Sequence, residues 1–216
     1  MKIVSYLNAI TTSNVNWEEV RPLAGAPFPV TIQIVKERYQ FQVAGQSLSG
    51  QQVGLMMPSF QAGQLRTEEG FIVVNQFEFQ PNAIVISSAT TEQTYKFADD
   101  VFAFLHTELG FRTPPRLRKM THLTTIIADF GPTLENVFGK WKDIASLPAM
   151  KDGAELLPLG IRFMGYRDNQ PVIERQFVFE RRLAAPPGEN WSFSQAPLDT
   201  DSHVKLLNEI ERIFSR

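Results

Sequence analysis

Apolar residues recur along this chain at two different periods, and the switching between them confines it to a fold that mixes strands and helices. In one block Phe71, Val73, Phe77 and Phe79 alternate with polar neighbours, interrupted by Asn75, before Pro81-Asn82 makes a turn and Ala83 to Ser87 returns. A period of two puts one face of a strand in a core and the other in water, the pattern of an antiparallel hairpin. Directly afterwards the period lengthens. Tyr95, Ala98, Phe102, Leu105 and Leu109 fall on one helical stripe, widened by Val101 and Phe104. Thr90 and Gln93 fit a capping box at its start, and Gly110 supplies a left-handed stop at its end.

The same two patterns predict the other elements. Val30, Ile32 and Ile34 alternate with Thr31 and Gln33; Lys36-Glu37-Arg38 reads as a charged turn; Tyr39, Phe41 and Val43 alternate with Gln40 and Gln42. This predicts a first hairpin. A third pairs Gly160–Tyr166 with Val172–Arg182 across Arg167-Asp168-Asn169-Gln170. Residues 2–7 read as a short strand, and Arg118 to Ala128, apolar on both faces, as a central one. A second helix is expected from Thr133 to Pro148, on a stripe of Leu134, Val137, Phe138, Trp141 and Ile144. A final helix is expected with Thr200 as N-cap and a stripe of Val204, Leu207, Ile210 and Phe214. Residues 45–70, with five glycines and many glutamines, predict a long irregular connection, and Pro114-Pro115 an extended linker.

The expected fold class is therefore α+β in a single domain, 1–216. Antiparallel β-hairpins would form one or two sheets, with about three amphipathic helices packed on one face. Hairpin, serine-bearing turn and capped helix occur twice, around Ser87-Ser88 and around Ser194-Gln195. That spacing, close to half the chain, suggests a degenerate ββα duplication with pseudo-repeat halves 1–112 and 113–216.

Bulk composition excludes several function classes. Hydrophobic residues make up 43% and charged residues 20%, which is the balance of a folded chain. Lys and Arg number 21 against 23 Asp and Glu, a formal charge of −2, so there is no overall positive field for coating nucleic acid. The absence of cysteine removes disulfides, thiolate zinc sites and cysteine nucleophiles together. No apolar run approaches the ~20 residues needed to span a bilayer, and the first residues lack a leader pattern, so a cytoplasmic location without membrane contact is expected.

Three segments could carry chemistry or contacts. Asp199-Thr200-Asp201-Ser202-His203 places two carboxylates and an imidazole at one helix start, where oxygen and nitrogen ligands could hold a divalent ion; capping accounts for the same residues. Arg112, Arg116, Arg118 and Lys119 crowd a stiff Pro-Pro segment and could grip phosphates or an acidic protein surface. Leu55-Met56-Met57 is an apolar cluster inside the glycine-rich stretch, suited to an adaptable partner surface. His106 and His122 complete the three histidines and read as surface or core-edge residues. No phosphate-cradling loop, zinc-protease helix or nucleophile elbow is present.

We therefore read the chain as a non-catalytic binding or assembly module that recognises another protein or a second copy of itself, with no cofactor. The first alternative is a small-molecule hydrolase, metal-assisted or not, using Asp199, Asp201 and His203. The second is nucleic-acid binding through residues 112–119.

Overall fold

The computed structural model describes residues 1–15, 28–48, 56–80, 82–112, 118–130, 160–167, 170–182, 185–186 and 189–215. Along these run the strands β1 (Lys2–Asn14), β2 (Val43–Leu48), β3 (Met56–Thr67), β4 (Gly70–Gln80), β5 (Ala83–Ser88), β6 (Arg118–Asp129), β7 (Gly160–Arg167), β8 (Gln170–Arg181) and β9 (Trp191–Ala196). The described helices are α1 (Phe28–Arg38), α2 (Thr91–Leu109) and α3 (Thr200–Phe214). An α+β fold built on antiparallel pairs is what the two periods require.

The chain divides into two compact units, Asn8–Leu123 and Thr124–Arg216 with Met1–Leu7. In the first, the strand order is β2-β3-β4-β5-β1, paired antiparallel. One core fills it. Val35 of α1, Tyr39 and Phe41 after it, and Phe97, Val101 and Leu105 of α2 pack with Phe60, Val74, Phe77 and Phe79 from the strands. The aromatic rings meet edge-on or tilted, as their quadrupoles favour: Tyr39–Phe97 at 5.0 Å, Phe41–Phe60 at 5.2 Å, Phe77–Phe79 at 4.8 Å.

The first expected hairpin is instead helix α1 and the strand β2 that follows it. Thr31, Val35 and Tyr39 are the buried residues, four apart, whereas Val30 is exposed. The alternation of Val30, Ile32 and Ile34 overlies a helical period that turns Thr31, Val35 and Tyr39 into the core, where the Tyr39 ring meets Phe97 and Phe104. The irregular connection expected over 45–70 is also corrected. Residues 43–48 and 56–67 are paired strands, with Val43 opposite Gln61 and Leu48 opposite Met56. Gly63 lies within β3, where a Cβ would come within 2.3 Å of the Phe41 ring. Glycine there makes room for an aromatic ring; it does not mark a loop.

The hairpin β4–β5 matches expectation in its pairing. Its inward parity does not run straight through, because Ile72 and Val74 are buried at one end and Phe77 and Phe79 at the other. The faces exchange at Asn75, beside Ala62 of β3, whose φ of 53° is left-handed. Thr90 caps α2 by accepting from the Gln93 N–H at 3.3 Å, and Gly110, at φ 64°, ends it. The inward stripe of α2 is Thr91, Thr94, Phe97, Ala98, Val101, Phe104 and Leu105, turned about one residue from the predicted line.

In the second unit the order is β6-β9-β8-β7, again paired antiparallel. Ile126, Ala128, Phe130, Phe179 and Leu207 form its core, joined by Met1 and Ile3. Ile126 and Ile127 are both buried, so β6 is covered on both faces as predicted. The N-cap of α3 is Asp199, one residue before the expected Thr200. The helix expected over 133–148 and the Pro-Pro linker lie outside the described residues.

Candidate functional site: two hydroxyl–imidazole clusters

Both long N-capped helices aim the fourth residue after the cap at a strand threonine. In α3 that residue is His203, whose Nδ1 lies 2.8 Å from Thr124 Oγ1 of β6. In α2 it is Thr94, whose Oγ1 lies 2.7 Å from Thr11 Oγ1 of β1. The first helical turn leans its inward side chain onto the sheet, and a β-branched hydroxyl standing off that sheet meets it.

His203 is fully buried. Its Nε2 lies 2.8 Å from Ser194 Oγ of β9, and the Phe177 ring stands edge-on at 6.4 Å. Ser194 also reaches the Val178 carbonyl at 3.2 Å, and Thr124 the Leu198 carbonyl at 3.1 Å. Three protons, two hydroxyl and one imidazole, thus face four contacts when the ring is neutral. Burial holds the imidazole neutral by pushing its pKa down to about 4.

The cluster around His122 of β6 is half-buried and wired differently. Thr94 Oγ1 donates to the Thr91 carbonyl at 2.7 Å, so the hydroxyl of Thr11 donates to Thr94. Thr11 Oγ1 then accepts from His122 Nδ1–H at 3.2 Å, and Nε2 accepts from the Tyr95 hydroxyl at 3.0 Å. This assignment makes every one of the four contacts, with His122 Nδ1–H as the donor to Thr11.

The segment expected to bind a metal does not converge. Asp199 is tied to its own helix end, accepting from the Ser202 N–H and Ser202 Oγ at 2.8 Å each. Asp201 is exposed in the first turn, and His203 points inward. Among the described residues no group of three His, Asp or Glu could hold a metal ion. Arg112 is exposed just after α2; Arg118 and Lys119 open β6, and Arg116 lies outside the described residues. Met57 and Met56 of β3 pair with Ser47 and Leu48 of β2, while Leu55 lies outside the described residues. His106 closes the end of α2, with Nδ1 2.7 Å from the Phe111 carbonyl. None of the described helices is long and apolar enough to cross a membrane.

Two features escaped the sequence. Tyr39 donates to Asp100 Oδ1 at 2.6 Å, and Arg38 approaches both while lying 4.3 Å over the Phe104 ring. Burial, then the carboxylate, pushes the Tyr39 phenol well above its ordinary pKa. This pins the end of α1 to α2. The second feature is apolar: Phe71 is 62% and Val73 57% exposed on the face of β4 opposite Ile72 and Val74, with Arg66 across from Phe71. Their alternation was legible, but which parity faced the core was not.

No protein-family profile, characterised protein sequence or solved structure matches the chain.

Proposed function

We propose that this chain is a non-catalytic binding or assembly module that recognises another protein surface. The observation carrying this is the outward pair Phe71 and Val73, two large apolar side chains side by side on one sheet face. Single exposed apolar residues are ordinary, but neighbours on a rigid strand form the nucleus of a contact patch. Arg66 beside Phe71, and Glu68 and Glu69 at the tip of the β3–β4 turn, give that patch a charged rim. Support also comes from the polar residues that a hydrolase would use. Asp199 is engaged by Ser202, and both ring nitrogens of His203 face hydroxyls inside the core.

The test replaces the patch without touching the core. Phe71→Ser with Val73→Thr is expected to keep the circular dichroism and melting temperature of the unaltered chain. It should weaken self-association or partner binding by roughly ten- to a hundredfold, the range for losing ~1–3 kcal/mol of interface anchors. Light scattering over a wide concentration range, with affinity capture by both proteins, reads the outcome. A strict monomer whose captured partners are the same with and without the double substitution would overturn the proposal.

A further inference from the structure

We propose that His203 is an acid-sensitive latch: when its imidazole takes up a proton, α3 is released from β6 and β9 within the unit formed by Thr124–Arg216 and Met1–Leu7. The imidazole has no solvent exposure and ties three elements together through Thr124 and Ser194. The groups packed on it are uncharged: Thr124 from β6, Ser194 from β9 and the Phe177 ring from β8. The charged groups near it in chain and fold are engaged or outward. Asp199 holds Ser202, Asp201 and Lys205 are exposed, and Glu180 of β8 pairs with Arg162. Among the described residues no carboxylate contacts the ring to balance a positive charge.

Protonation has one compensation, because a fourth proton would let all four hydrogen-bond contacts form at once. Burial outweighs it, holding the ring's pKa down to about 4. An imidazole released into water recovers its ordinary pKa of ~6.5, so the released state binds the proton more tightly. The latch is accordingly closed above about pH 6.5 and loosens as the pH falls from there toward 4. The opening constant of α3 rises roughly seventyfold between about pH 7.5 and 4.5. The matching position on α2 is Thr94, which has no proton to take up, but that helix also carries His106 and meets His122 through Tyr95, so the reference for α3 is the same helix in a chain without the imidazole.

Hydrogen exchange on the full chain, corrected for intrinsic exchange rates, reads this directly. Amides of α3 should lose protection by about that factor in the unaltered chain, and His203→Gln, a neutral donor and acceptor, should abolish the loss. Either no loss in α3 or an undiminished loss in the variant would overturn the latch. Should His203→Gln not fold, the His203 ring resonance in the unaltered chain decides. Titration near its ordinary value overturns the proposal, and titration depressed and accompanied by loss of α3 protection supports it.

Discussion

At the scale of single residues, the strongest constraints are buried polar atoms whose partners lie on other elements. Tyr39 is buried, and its hydroxyl reaches Asp100, so Tyr39→Phe should cost about 1–2 kcal/mol in a urea titration, with no change in the slope. Thr124→Val keeps the volume but takes the hydroxyl from His203 Nδ1 and the Leu198 carbonyl. Leaving buried polar atoms without a partner should lower stability by about 1–3 kcal/mol, visible as a lower melting temperature. His203 itself was half legible. Thr200, His203, Leu207 and Ile210 stand at inward helical spacing, yet imidazole counts as polar in a hydropathy stripe, so the sequence favours a line through Val204 instead. Of the two hydroxyls on it, Ser194 is nine residues away, whereas Thr124 comes from a strand 79 residues earlier, and no local pattern announces it.

Elements show why some boundaries could be read and others not. Caps are local chemistry, and Thr90 with Gly110 delimit α2 where the sequence places them. At Gly110, φ is 64°, so Gly110→Ala should cost about 1 kcal/mol by the same urea titration. The helix α1 was misassigned because its apolar residues satisfy both periods over so short a run, and tertiary contacts outweigh local propensity there. The strands β2 and β3 were hidden by glycine. Gly63→Ala would drive a methyl into the Phe41 ring and should cost ~1–3 kcal/mol. Phe41→Leu, costly alone, should recover part of that loss in combination, and a double-mutant cycle of unfolding free energies would show the coupling.

For the molecule as a whole, the α+β class followed from the coexistence of two periods, while the division into units did not. Units interleaved in sequence leave no composition change to mark them. The proposed duplication of halves 1–112 and 113–216 draws its support from the shared bond between a helix's fourth residue and a strand threonine. The division found by compactness assigns Met1–Leu7 to the later unit, where Met1 and Ile3 pack on Ile126, Ala128 and Leu207. A fragment of residues 113–216 should therefore fail to reach native protection in hydrogen exchange. Supplying residues 1–7 through a flexible linker should restore part of it.

That assignment has a consequence for biosynthesis. Residues 1–7 leave the ribosome well before Thr124, where their packing partners begin. Residues 8–123 can complete their own core while those seven wait, unsatisfied, for the remainder of translation. Residues 1–7, made before that core, are secured after it.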